Sequence, residues 1–132
     1  MLDGKVILIV DDDPTLLEMY VERMKAEGAI VVQAMDGEQA LEQVKSSKPS
    51  IVLLDIMMPK VNGFEVLRQI KADSETAAIP VIILSALNDD QKRREGLSLG
   101  ASDCIAKSEI LPADVVKKVE AVITKAAEQK AS

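Results

Sequence analysis

The sequence predicts an α/β fold in which a parallel sheet carries helices on both faces. Three observations lead there. Val6 to Val10, Ile51 to Leu54 and Val81 to Leu84 are short, uncharged apolar runs rich in β-branched residues. Runs of that kind suit strands buried on both sides, as in the middle of a parallel sheet. Between the runs, apolar residues recur at helical spacing, and the two patterns alternate about five times with short connections.

Val6 to Val10 is the first central strand. It runs into Asp11-Asp12-Asp13-Pro14. Pro14 suits the first turn of a helix, with Asp13 as its N-cap. Leu16, Leu17, Tyr20, Val21 and Met24 stripe that helix, and Gly28 stops it. Ala29 to Ala34 is a weaker strand containing Gln33, expected near an edge. Asp36-Gly37 reads as a turn. Ala40, Leu41 and Val44 mark a short helix ended by Ser46-Ser47-Lys48-Pro49. The Ile51 strand follows and delivers Asp55. A loop with Pro59 and Gly63 leads to a helix marked by Phe64, Leu67 and Ile70. Pro80 is acceptable as the first residue of the next strand, which ends at Ser85. A polar helix of about ten residues carries Leu97 and Leu99 near its end and is closed by Gly100. Cys104 to Ala106 is the last strand, ending at Lys107. Val115, Val119, Val122 and Ala126 stripe the last helix, with a polar, frayed tail expected from Glu128.

Composition narrows the chemistry. The chain has 132 residues, 48% of them apolar, which suits one domain with an ordinary core. One Tyr, one Phe and no Trp leave Val, Ile, Leu, Met and Ala to build that core. A single cysteine, Cys104, cannot form an internal disulfide, which points to a cytoplasmic protein. No apolar stretch reaches membrane-spanning length, and no signal-peptide pattern opens the chain. A net charge of −6 argues against direct nucleic-acid binding, which draws its affinity from a basic face. The absence of histidine excludes Ser-His-Asp and Cys-His nucleophile systems and His-ligated zinc. Any metal must then be held by oxygen, which favours magnesium, manganese or calcium.

The strand ends form a constellation. Asp11 and Asp12, Asp55, Ser85 and Lys107 each lie at or just past the last apolar residue of a strand. All should meet at the carboxyl edge of the sheet, where open α/β sheets bind ligands. Singly, each has a plain reading: Asp55 as a helix cap, Ser85 as a loop hydroxyl, Lys107 as surface charge. Together, the carboxylates call for a cation, with Mg²⁺ the natural choice. A lysine and a hydroxyl beside it would hold the remaining oxygens of a tetrahedral anion. An Asp can form an acyl phosphate, and metal plus lysine neutralise the charge that develops in phosphoryl transfer. The constellation reads as a phosphoryl acceptor.

Ile9-Val10-Asp11-Asp12-Asp13-Pro14, Leu53-Leu54-Asp55-Ile56-Met57-Met58-Pro59, Asn62-Gly63, Leu84-Ser85-Ala86 and Gly100-Ala101-Ser102-Asp103 followed by Lys107 carry a resemblance. The sequence resembles the receiver domain of two-component response regulators, of the chemotaxis type in which the receiver stands alone. The resemblance covers nearly the whole chain. It implies a flavodoxin-like (βα)5 fold with strand order 2-1-3-4-5. It implies Asp55 as the phosphorylated residue. Asp12 and Asp55 would bind Mg²⁺ (or Mn²⁺) with the backbone carbonyl of Met57, and Asp11 would act through water. Ser85 and Lys107 would contact the phosphoryl group. The donor would be a phosphohistidine on a sensor kinase or phosphotransfer protein, and a downstream protein would read the switch. The surface of the fourth helix, last strand and last helix, with Lys92, Arg93, Lys117 and Lys118, would be the output face. The resemblance implies a phosphoacceptor module rather than a turnover enzyme.

Two positions depart from the family. Cys104 stands where Tyr or Phe is usual, so the ring that changes rotamer there is missing. Ser108 follows Lys107 where Pro is usual. A cis bond costs about 0.5–1 kcal/mol before proline and about 2.5–4 kcal/mol otherwise. A trans Lys107-Ser108 peptide is therefore expected. Cys104 is expected to be a buried, inert thiol.

Residues 1–127 are expected to form the receiver and 128–132 the tail, leaving no segment for a DNA-binding or catalytic output module. Asp11-Asp12-Asp13-Pro14-Thr15 also fits the D-x-D-x-T opening of haloacid dehalogenase-type phosphatases, with Asp11 as nucleophile and Asp13 as acid/base. Against that, a helical pattern starts at once after Pro14, and no acidic pair ends a later strand. A flavin module on the same fold is weaker still, for want of aromatic rings to hold the flavin.

Overall fold

A computed structural model describes residues 2–56, 62–85, 90–106 and 111–131, without the side chains of residues 16, 85 and 129–131. In chain order the elements are β1 (Val6–Val10), α1 (Pro14–Ala26), β2 (Ile30–Ala34), α2 (Gly37–Ser47) and β3 (Ile51–Leu54). They continue with α3 (Gly63–Ala72), β4 (Val81–Ser85), α4 (Asp90–Ser98), β5 (Asp103–Ala106) and α5 (Pro112–Ala131). The five strands form one parallel sheet in the order β2-β1-β3-β4-β5. This is the flavodoxin-like α/β fold that was expected.

The period of two along each strand divides the core. Ile7 and Ile9 of β1, Ile51 and Leu53 of β3, and Ile82 and Leu84 of β4 face one side. There they meet Leu17, Tyr20, Val21 and Met24 of α1 and Val115, Val116 and Val119 of α5. Leu8, Val10, Val52, Leu54, Val81 and Ile83 face the other side. They pack on Ala40 and Val44 of α2 and on Phe64, Val66, Leu67 and Ile70 of α3. Both faces of the central strands are thus buried, which is why their sequences are continuous rather than alternating. Each such side chain stabilises the fold by about 1.5–3 kcal/mol when fully buried. β2 is an edge strand, as its sequence suggested, and its Ile30 stays 55% exposed.

Helix ends follow local chemistry. The Asp13 carboxylate accepts from the Thr15 amide at 3.0 Å, capping α1 with Pro14 in its first position. Gly28, at φ +90°, takes the left-handed conformation after that helix. Asp36-Gly37 differs from expectation. Asp36 is the N-cap of α2, accepting from the Gln39 amide at 2.9 Å, and Gly37 is already helical. The same Asp chemistry serves a turn or a cap, and the apolar stripe that follows selects the cap. Lys48, at φ 45°, ends α2 in the left-handed region just before Pro49.

Two features were not read from the sequence. The segment between α3 and β4 is pinned by side chains: the Thr76 hydroxyl donates to the Ile70 carbonyl at 2.6 Å. The Lys71 ammonium donates to the Ala77 and Ile79 carbonyls at 3.0 and 2.7 Å. β5 begins one residue early, at Asp103, whose charge is held between helices. Its carboxylate lies 3.2 Å from Lys118 of α5 and 3.9 Å from Arg93 of α4. Among the described residues, no helix is long and apolar enough to cross a membrane.

Candidate functional site

The acidic residues of the two central strand ends converge. Backbone ladders carry one residue past each strand: the Asp11 amide donates to the Ala34 carbonyl at 3.1 Å, and the Asp55 amide donates to the Val10 carbonyl at 2.9 Å. β2 therefore fixes Asp11, and β1 fixes Asp55. Because β1 and β3 are neighbours in register, with Val10 opposite Leu54, their next residues lie side by side.

Asp11, Asp12 and Asp55 each offer a carboxylate oxygen, and the three oxygens lie within 4.8 Å of one another. Asp11 and Asp55 are buried, and Asp12 is exposed. One Asp11 oxygen accepts from the Asp13 amide at 2.9 Å, which orients that carboxylate. Three carboxylates so close repel one another unless a cation or protons join them. The donor set is all oxygen and reaches solvent at Asp12, so it fits a small hard divalent cation. Asp13 does not belong to this group among the described residues. It serves α1 as a cap, and the helix starts at Pro14. The acid/base role that a phosphatase would ask of Asp13 is thus not served by its geometry.

The far side of Asp55 is shaped by α3. Asn62 caps that helix, its side chain accepting from the Phe64 amide at 2.8 Å. The Gly63 amide donates to the Ile56 carbonyl at 3.2 Å. A β-carbon on Gly63 would lie 2.3 Å from Cα of Ile56 and 2.7 Å from the carbonyl oxygen of Asp55. Only glycine lets α3 begin this close to the strand end. The Asn62-Gly63 pair named from the sequence is thus a packing requirement of the site.

Ser85 ends β4 at the same edge of the sheet, with its backbone opposite Ala106 of β5. Its side chain lies outside the described residues, as do Met57, Lys107 and the Lys107-Ser108 bond. The position before that bond, Ala106, is the last residue of β5. Cys104 is 8% exposed and packs in the core face shared with Phe64 and Ile83. Burial pushes its thiol above the usual cysteine range; Arg93 pulls it down and Asp103 pushes it up. Its burial is as expected from its place on a strand.

Sequence reading missed the seat of α4. Gly96 is buried, and a β-carbon there would lie 2.5 Å from Cδ1 of Ile83 and 3.5 Å from the Phe64 ring. Lys92 sits 5.6 Å from the centre of that ring. The only signal was a glycine inside a polar helix, easily taken as a weak point rather than a contact.

Residues 7–120 match the family described as the response regulator receiver domain. The phosphate regulon transcriptional regulatory protein PhoB of Pseudomonas aeruginosa is 36% identical over 120 residues, covering 91% of this chain and 52% of its own length. The chain spans about half the length of the curated relatives it matches. Among solved structures, the BeF3-activated receiver domain of Klebsiella pneumoniae RstA superposes with a TM-score of 0.82 at 29% identity, covering 89% of this chain and 97% of that one. The chemotaxis response regulator CheY4 of Vibrio cholerae gives 0.83 at 25% identity, covering 90% and 98%.

Proposed function

The chain belongs to the response regulator receiver domain family, and on that premise we propose that Asp55 is the residue that accepts the phosphoryl group. The observation that carries the assignment is the position of Asp55. It is buried, held by β1, and within 4.8 Å of two further carboxylates. A carboxylate oxygen of Asp55 attacks phosphorus, the bond from phosphorus to the donor's imidazole nitrogen breaks, and that nitrogen takes up the electron pair. The product is an acyl phosphate. Asp12 and Asp55, with the Met57 carbonyl, would hold Mg²⁺ (or Mn²⁺), and Asp11 would act on it through water. When bound, such a cation offsets the negative charge that gathers on the phosphoryl oxygens. Ser85, at the end of β4, and Lys107, the residue after β5 in sequence, would hold the other phosphoryl oxygens.

The donor is a phosphohistidine of a sensor kinase or phosphotransfer protein, since this chain has no histidine of its own. The reader of the switch is a downstream protein. PhoB is named a transcriptional regulatory protein and is about twice as long as the match. Any contact of this protein with nucleic acid would then be made by another domain, because this one carries a net charge of −6. The receiver occupies residues 1–127.

Incubation with acetyl phosphate and Mg²⁺, followed by mapping of the modified residue, tests the assignment. Modification at Asp55, lost in Asp55→Asn while the fold is kept, is the expected result. Equal labelling of wild type and Asp55→Asn overturns it, and modification at Asp11 instead returns the phosphatase reading.

A further inference from the structure

A cleft opens at the amino-terminal edge of the sheet, the edge opposite Asp55. It holds about 580 Å³ and is lined by the segment between α3 and β4, the approach to β5 and the later turns of α5. Ala77, Ala78 and Pro80 come from the first of these, and Ala121, Val122 and Ala126 from the last. Lys71, Lys125 and Ser102 supply the polar groups, and among the described residues no carboxylate lines the cleft. That volume, with small apolar walls and a few polar groups, suits a small-molecule site. In a chain of net charge −6, an acid-free cleft with two ammonium groups is a local reversal of sign.

The protein uses these polar groups only in part. The Lys71 ammonium has three N–H donors, and the Ala77 and Ile79 carbonyls, at 3.0 and 2.7 Å, take two of them. Those neutral acceptors fix the ammonium without cancelling its charge. Its stem is held as well, since a β-carbon on Gly100 would lie 3.2 Å from Cγ of Lys71. Partial burial strips this cation of some hydration and lowers its pKa, a cost that a bound anion offsets. Ser102 is placed by its amide, which donates to the Val81 carbonyl at 2.8 Å. Among the described residues the Ser102 hydroxyl has no partner, and neither Lys71 nor Lys125 has a carboxylate partner.

We propose that this cleft binds a small phosphate monoester with a compact apolar body. The two ammonium groups match the nearly two negative charges that such a phosphate carries at neutral pH. The Ser102 hydroxyl donates to a phosphoryl oxygen. The alanines, Pro80 and Val122 take the apolar body, their short side chains leaving it room. Pro80 and Ser102 each stand just before a strand, whereas Asp55 follows the end of one. A strand's length, about 13–17 Å, therefore separates the two sites, and both can be filled at once.

Titration of the full chain with phenyl phosphate, followed by amide chemical shifts, tests the cleft. Mg²⁺ is left out, so that the acidic site offers no cation to a phosphate. Shifts should saturate at roughly 1–10 mM and centre on Ala77, Ala78, Ser102 and the turn of α5 from Ala121 to Ala126. Inorganic phosphate lacks the apolar body, benzyl alcohol lacks the charge, and benzoate carries only one charge. Each should bind at least about threefold more weakly. Lys125→Gln and Ser102→Ala, both at exposed positions, should each weaken binding about threefold or more. Ala126→Leu fills the cleft and should abolish binding. Circular dichroism confirms that the variants stay folded, and all three should be labelled at Asp55 by acetyl phosphate as the wild type is. No shift at these residues up to roughly 50 mM would overturn the proposal. Equal binding of inorganic phosphate or benzoate, or wild-type binding by both Lys125→Gln and Ala126→Leu, would overturn it too.

Discussion

Gly63 and Asp55 touch through their backbones. The missing β-carbon of Gly63 would fall 2.7 Å from the Asp55 carbonyl oxygen. The start of α3 is thus packed directly against Asp55, the proposed phosphoryl acceptor. Gly63→Ala should force this junction apart and destabilise the fold by about 1–3 kcal/mol, the range for overpacking. It should also slow labelling of Asp55 by acetyl phosphate. Urea denaturation and labelling kinetics check both, and wild-type values in both would show that the junction yields freely.

Asp12 is the exposed member of the carboxylate group. Asp12→Ala should weaken Mg²⁺ binding at least tenfold in a titration. In metal-free buffer the same change should raise the melting temperature by a few degrees (about 3–4 °C per kcal/mol for a domain of this size), because one of three mutually repelling charges is gone. Unchanged Mg²⁺ affinity would remove Asp12 from the ligand set.

Cys104 should resist alkylation in the folded protein. Its thiol is buried and its pKa is raised from the ordinary 9.0, mainly by burial. Reaction with iodoacetamide at pH 8 should be at least about tenfold slower than in urea. The raised folded-state value also fixes a sign. Below pH 9 both states hold the proton, and stability is full. As the pH climbs past 9 the unfolded chain loses its proton first, so this group's contribution falls. Urea midpoints at pH 8 and pH 10, compared between wild type and Cys104→Ala, should show a larger drop in the wild type.

Lys71 ties the segment between α3 and β4 through the Ala77 and Ile79 carbonyls. Lys71→Met keeps the aliphatic stem and loses both hydrogen bonds. A loss of about 1–3 kcal/mol is expected, with faster amide exchange confined to residues 73–79. Exchange that speeds up evenly across the sheet would show that Lys71 acts on global stability instead.

The sequence by itself determined the fold class, the limits of the three central strands and the residues of the acidic site. Buried parallel strands must be continuous and apolar, so Val6–Val10, Ile51–Leu54 and Val81–Ser85 announce themselves, and the acids at their ends stand out against them. Asp13 as a cap and Gly28 as a stop were equally plain, because their chemistry is local. Tertiary structure decided what depends on a distant neighbour. Asp36 became a cap rather than a turn residue because the following stripe found the sheet. Gly63 and Gly96 owe their identity to Ile56, Asp55 and Ile83, atoms that sequence spacing does not bring near. Lys71 and Asp103 gain their partners only on folding, which sets two carbonyls around one and two cations around the other. Periodicity is a property of a segment and can be read along the chain, whereas close approach and charge partnership are properties of two segments and exist only once both are folded.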